Sequence, residues 1–139
     1  LRSDAPRVLT PHPGEAARLR ETTAAEIQAD RLGHARGLAQ ATGAVVLLKG
    51  RHTVVAAPDG RAAFNGSGNP GMATAGTGDV LTGVTGAFLA RGLAPFDAAR
   101  LAAFVHGDAG DRAASALGED GMIASDLAAR IPQALRALR

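Results

Sequence analysis

Cysteine, tryptophan and tyrosine are missing from this 139-residue chain, and aromatic residues make up 3% of it. Without cysteine there is no disulfide framework and no thiolate metal site. With so few aromatics, the abundant Ala, Leu, Val and Gly suit close packing of helices on a sheet rather than an aromatic-filled sandwich. Long hydrophobic runs are lacking as well. No stretch approaches the ~20 apolar residues that cross a bilayer, and no secretory leader pattern opens the chain; no membrane partner and a cytoplasmic location are expected. Clustered positive charge is also missing. The net charge is +2, and Arg2, Arg7, Arg18, Arg36, Arg61, Arg91 and Arg130 stand singly, without interleaved aromatics, which argues against a nucleic-acid face.

What is present is a chain 46% hydrophobic, long enough for one ordinary domain and too short for two. Val8-Leu9-Thr10 reads as a short strand stopped by Pro11 and Pro13. Gly14 to Arg20 reads as a helical stretch. Thr23-Ala24-Ala25-Glu26 is a capping box, and Ile27, Leu32, Ala35, Leu38 and Ala39 continue as one helical stripe to a Gly43 C-cap. Val45-Val46-Leu47-Leu48 is an apolar run of strand length, fit for burial on both faces. Thr53 to Ala57, the Pro58-Asp59-Gly60 turn and Arg61 to Phe64 form a hairpin. Val80, Leu81, Val84, Ala87 and Phe88 predict a helix stopped by Gly92. Another starts near Pro95 and carries Leu101, Ala102, Val105 and Ala109 on one side. A last helix is capped by Ser125 or Asp126 and bent or divided at Pro132. This is an α/β pattern with a largely parallel sheet. The abrupt start at Leu1, followed almost at once by a strand, reads as if cut from something longer.

Gly66, Gly68, Gly71, Gly76 and Gly78 lie close together, the last pair immediately before a well-patterned helix. Glycines let backbone N–H groups approach a ligand, and a helix N-terminus adds unpaired donors and a positive dipole end. That is a phosphate site. Asp79, on the first turn, would repel phosphate if binding were its task. It makes sense as a base that takes a proton from a hydroxyl receiving a phosphoryl group. Asp79 as a simple N-terminal helix acid is the other reading.

The string Asn69-Pro70-Gly71-Met72-Ala73-Thr74-Ala75-Gly76-Thr77-Gly78-Asp79-Val80-Leu81-Thr82-Gly83 resembles the signature of the NAD(P)H-hydrate dehydratase family. These are carbohydrate-kinase-like domains, often fused to an NAD(P)H-hydrate epimerase. Leu9-Thr10-Pro11-His12-Pro13-Gly14-Glu15, Val46-Leu47-Leu48-Lys49-Gly50 with Thr53-Val54, Phe104 to Asp111 and Gly121 to Leu127 follow in the family's order. The resemblance runs from about Val8 to Pro132. It departs at Ala75 and Thr77, where Gly and Ser are frequent, and in length: an N-terminal half that would supply sheet strands and part of the pocket is missing.

The resemblance implies a ribokinase-like three-layer α/β/α fold, with residues 1–139 as the C-terminal portion of one domain. It implies ADP- or ATP-dependent dehydration of hydrated NADH or NADPH, with Mg²⁺ riding on the nucleotide phosphates. Asp79 would be the catalytic base. Lys49, Gly50, Arg51, His52, Thr53, Asn69, Gly71, Met72, Ala73, Thr74, Gly76, Thr77 and Gly78 would bind the nucleotide. His12, Glu15 and Asp79 would contact the substrate. Independently of the family, Lys49 is the single lysine in a chain rich in arginine, at the end of a buried strand, which suggests a place that needs a compact, flexible ammonium; a strand-end charge turned to solvent is the other reading. His12 sits in a turn after a strand, where ligands of α/β sheets collect, a simple polar turn residue being the other reading. His34, His52 and His106 do not form a metal cluster with carboxylates at ligand spacing, so no protein metal site is expected. His106 with Asp108 and Asp111 reads as a buried, hydrogen-bonded helix junction. A vitamin-precursor kinase of the same fold and a non-catalytic nucleotide-binding or assembly fragment are the alternatives. An uncovered sheet edge leads to the expectation of a homo-oligomer, or of pairing with the missing half or an epimerase domain.

Overall fold

A computed structural model describes residues 5–139. The fold is organised by β2 (Val45–Leu48), four consecutive apolar residues that are all buried. Alternate side chains of a strand point to opposite faces. Val45 and Leu47 accordingly join one apolar cluster, while Val46 and Leu48 join another. β3 (Val54–Ala56) divides in the same way, with Val55 in the first cluster and Val54 and Ala56 in the second. A sheet wet on one face would have needed polar residues at every second position.

Two helical layers cover these faces. On one lie α1 (Pro13–Arg20), α2 (Ala24–Ala29) and α3 (Arg31–Thr42), contributing Ala16, Ala17, Ile27, Ala35, Leu38 and Ala39. On the other lie α4 (Thr77–Ala90), α5 (Pro95–Leu117) and α6 (Ala124–Arg136). The inward face of α5 is nearly all small: Ala98, Ala99, Ala102, Ala109 and Ala113 are completely buried. Small side chains let that helix lie close to the sheet. Leu127 of α6 is fully buried in the same cluster, and burial of a leucine contributes about 1.5–3 kcal/mol.

The α/β reading therefore holds, with one correction. Among the described residues the sheet runs β1-β2-β3-β4, with β1 (Val8–Leu9) parallel to β2 but β2–β3 and β3–β4 (Ala62–Phe64) antiparallel. Within this chain the sheet is mixed rather than largely parallel. The cause is connection length: β1 reaches β2 through three helices, whereas the short links after β2 and β3 can join only antiparallel neighbours. The helical stripe after Thr23 is also broken. Asp30 ends α2 and its carboxylate accepts the Gly33 N–H at 2.8 Å, capping α3 as a separate helix. Pro132 lies inside α6 without dividing it. That helix starts after Ile123, and Asp126 reaches back from the third position to accept the Ile123 N–H at 2.9 Å. Among the described residues no helix is long and apolar enough to cross a membrane.

Candidate active site

β1 and β2 run in parallel and end side by side; past the strands the Lys49 N–H still reaches the Pro11 carbonyl at 2.8 Å. The two segments that leave these strand ends, the His12 turn and the Lys49 loop, are therefore neighbours. His12 caps α1. Its Nδ1 accepts from the Gly14 and Glu15 N–H groups at 3.0 and 3.2 Å, so the neutral ring carries its proton on Nε2. Glu15 completes the capping box by accepting the His12 N–H at 2.7 Å, which is the main reason its carboxyl is held below the ordinary value. Partial burial opposes that shift, and the Lys49 ammonium, 3.7 Å from Glu15 Oε2, assists it.

Lys49 also reaches the Gly-rich loop. A Cβ built on Gly78 would lie 3.1 Å from Lys49 Nζ, so the ammonium rests against the first turn of α4. Asp79 follows, exposed. The helix start differs from those of the first three helices. α1, α2 and α3 are capped by the side chains of His12, Thr23 and Asp30, whereas Gly76 at the head of α4 is left-handed (φ 87°) and offers no side-chain cap. In the first turn the Asp79 and Val80 N–H groups both turn to the Gly76 carbonyl at 3.1 Å and the Thr77 N–H lies 3.5 Å from the Thr74 carbonyl, which leaves the Gly78 N–H, beside Lys49, for a ligand. On the flank, Thr82 of α4 meets Thr10 after β1, hydroxyl to hydroxyl, at 3.1 Å.

The structure brings together His12, Glu15, Lys49, Gly78 and Asp79 from distant parts of the sequence. It gives other expected ligand residues supporting contacts. Asn69 donates to Asp111 at 2.9 Å, and Gly71 packs against the backbone of Glu119 so tightly that a Cβ would come within 2.6 Å of its carbonyl oxygen. Met72 lies on Gly110. The Thr77 hydroxyl is directed back to the carbonyls of Met72 and Thr74 at 2.7 and 2.9 Å. Ala73 and Thr74 border a shallow polar recess with Glu119 and Asp120. Gly50 and His52 both have positive φ, 140° and 53°, and the Thr53 hydroxyl donates to the Gly50 carbonyl at 3.2 Å. Arg51 is exposed beside them.

His106 is the buried junction the sequence suggested. Because a carbonyl can only accept, His106 Nε2 carries the proton and donates to the Thr77 carbonyl at 2.8 Å. Burial pushes its pKa down, and the nearby Lys49 charge adds to that. Asp108 pairs with Arg112 at 2.7 Å, and Asp111 holds the Gly68 N–H at 2.9 Å as well as Asn69. One contributor was missed from sequence. Arg31 is bonded to the loop after β2, yet an arginine at the start of a helix gives no signal beyond a solvated charge. A larger cavity of about 450 Å³ lies between β4 and α5, lined by Phe64, Leu93 and Phe104, and includes none of the residues of the Lys49–Asp79 cluster.

This arrangement can hold an anion on α4 and Lys49 with a carboxylate adjacent. The NAD(P)H-hydrate dehydratase family model matches residues 1–133. The chain belongs to that family. It is 56% identical over 133 residues to the bifunctional NAD(P)H-hydrate repair enzyme Nnr of Moorella thermoacetica, covering 96% of this chain and 25% of that protein. It is 48% identical over 132 residues to the ADP-dependent (S)-NAD(P)H-hydrate dehydratase of Neisseria meningitidis, covering 95% of this chain and 44% of the relative. Among solved structures, the ADP/ATP-dependent NAD(P)H-hydrate dehydratase of Bacillus subtilis co-crystallized with ATP/Mg²⁺ superimposes with a TM-score of 0.91 at 33% identity. That match covers 96% of this chain and 48% of the other. A ribokinase-like superfamily protein of Enterococcus faecalis also matches, with a TM-score of 0.78 at 27% identity, so the fold is ribokinase-like. The chain spans between about a quarter and a half of these dehydratase relatives.

Proposed function

We propose that this chain is the C-terminal portion of a ribokinase-like dehydratase domain and carries its base and nucleotide loop, in an enzyme that returns hydrated NADH or NADPH to the reduced dinucleotide at the expense of ADP or ATP. The observation that carries the reading is the contact of Lys49 with Gly78, immediately before Asp79 and ion-paired to Glu15 of the His12 turn. That contact links one cation to the residue preceding the carboxylate and to a strand-end turn that can receive a second ligand.

In this reading the nucleotide lies across Lys49, Gly50, Arg51, His52 and Thr53, with its terminal phosphoryl group over Gly76, Thr77 and Gly78. The hydrated nicotinamide sits between His12 and Asp79. Asp79 takes the proton of the added hydroxyl as its oxygen bonds to phosphorus. The amides of α4 and the Lys49 ammonium stabilise the charge on the transferring group. The ring carbon–oxygen bond then breaks, phosphate departs, and loss of a proton from the adjacent carbon restores the ring double bond. Mg²⁺ takes most of its ligands from phosphate and water, so it would arrive with the nucleotide and neutralise its charge.

The test is to incubate the chain with hydrated NADH, Mg²⁺ and either ADP or ATP. Return of reduced-nicotinamide absorbance supports the dehydratase. Nucleotide binding without that return would favour a binding fragment that needs the rest of the domain, and phosphoryl transfer to a vitamin precursor would favour a kinase. Sedimentation would show whether the chain pairs with a second copy through the free side of β1.

A further inference from the structure

Arg31, at the first position of α3, crosses to the loop that follows β2. Its Nη2 donates to the carbonyls of Leu48 and Lys49 at 3.1 and 3.2 Å, and its Nη1 donates to the carbonyl of Arg51. The carbonyl between them, that of Gly50, accepts from the Thr53 hydroxyl at 3.2 Å. Every peptide oxygen from Leu48 to Arg51 is thereby committed. Among the described residues no peptide is cis, and in a trans peptide the C=O and the following N–H point in opposite directions. Carbonyls of Lys49 and Arg51 turned toward Arg31 therefore turn the N–H groups of Gly50 and His52 away from it. Among the described residues, neither N–H is matched with a protein acceptor.

The backbone that achieves this is unfavourable at one position. His52 stands at φ 53°, a region that side-chain-bearing residues seldom adopt without a local restraint. A Cβ on Gly50 would come within 2.9 Å of the guanidinium, so glycine there lets Arg31 approach. A guanidinium spreads its donors over a rigid planar fork that spans carbonyls from Leu48 to Arg51, whereas the three donors of an ammonium radiate from one atom on a flexible stem.

We propose that Arg31 is a positioning residue for the nucleotide, setting the peptide groups of the 49–52 loop so that the Gly50 and His52 N–H groups face the phosphates of a nucleoside di- or triphosphate. Paired N–H groups in such a loop make an anion-binding concavity. The inference rests on the nucleotide reading of this loop and goes beyond it by naming what shapes the loop.

Binding of ADP by the full chain, measured by calorimetry for Arg31→Lys, Arg31→Ala and Lys49→Met, tests it beside the melting temperature of each. Weakening of ADP binding by at least tenfold in both Arg31 variants is expected, with less protection of the Gly50 and His52 amides from exchange when ADP is present. Added methylguanidinium should restore part of the binding in Arg31→Ala. ADP affinity within twofold of the unaltered chain, with only a lower melting temperature, would make Arg31 a structural staple and overturn the proposal. The two levels separate cleanly. If Lys49→Met weakens ADP binding and the Arg31 variants do not, Arg31 alone is misassigned; if the unaltered chain does not bind ADP, the nucleotide reading falls and takes the proposal with it.

Discussion

Replacing Gly107 by alanine should destabilise the protein, although alanine is the better helix former. A Cβ at Gly107 of α5 would overlap Ser67 Oγ and lie 2.7 Å from the Ser67 carbonyl carbon and oxygen, well inside the 3.5–4.0 Å of ordinary contact. The hydroxyl can rotate; the backbone cannot easily withdraw. Ser67 donates to the Phe104 carbonyl at 3.1 Å, Asn65 Nδ2 donates to the carbonyls of Ser67 and Ala103 at 3.1 Å, and Asp111 holds Gly68 and Asn69 at 2.9 Å. Overpacking costs about 1–3 kcal/mol, and each hydrogen bond lost as the loop is pushed off adds roughly 1 kcal/mol. Against this stands a helix-propensity gain of about 1 kcal/mol. The net expectation is a loss of about 2–4 kcal/mol, or roughly 6–15 °C in Tm for a chain of this size. Gly86 is the control. It lies in the exposed part of α4 with nothing within 4 Å of a built Cβ, so alanine there should stabilise by about 0.5–1 kcal/mol. With no Trp or Tyr to follow by fluorescence, the assay is thermal and urea unfolding by far-UV circular dichroism. A Gly107→Ala variant as stable as Gly86→Ala would refute the close approach of the loop to α5.

The pH dependence of stability should carry the signature of His106. Burial holds its folded pKa below the ordinary 6.5, so its neutral form contributes stability that is complete above about 6.5 and lost as pH falls from there through the lowered folded value. His106→Gln, which keeps a donor for the Thr77 carbonyl, should flatten the melting temperature between neutral and mildly acid pH; an unchanged profile would refute the assignment. Glu15 acts in a separate, more acid window, because its carboxyl is held below 4.5 and its contribution fades only as pH drops through that lowered value. Lys49→Met should change stability by less than about 1 kcal/mol, since its ion pair with Glu15 is half-exposed. The same change should weaken ADP binding roughly 10- to 100-fold through loss of a charged hydrogen-bond donor. Equal losses in stability and binding would argue that Lys49 is structural.

The elements most legible in the sequence were those written in local chemistry. The apolar run Val45–Leu48, the capping box at Thr23 and the Pro58-Asp59-Gly60 hairpin need no tertiary information. The break at Asp30 was hidden because Ile27, Leu32, Ala35 and Leu38 all face one core and preserve the apolar stripe across it. Sheet direction beyond β1 depends on which strands become neighbours. In the candidate site, the glycine string and Lys49 stood out by composition, but the meeting of Lys49 with the His12 turn is a product of parallel β1 and β2 ending together, and its contact with Gly78 a product of where α4 packs. Arg31 could not be seen at all, because its work is done on backbone carbonyls, which leave no mark on the residues that carry them.

The central claim is that Asp79 is a base beside a phosphate cradle and not a helix-capping acid. Asp79→Asn, assayed with hydrated NADH, Mg²⁺ and ADP or ATP while nucleotide affinity is measured separately, tests it most directly. The account predicts a fall in kcat on the order of 10²–10⁴-fold with nucleotide affinity nearly unchanged. Turnover close to that of the unaltered chain, or loss of nucleotide binding in step with activity, would contradict it.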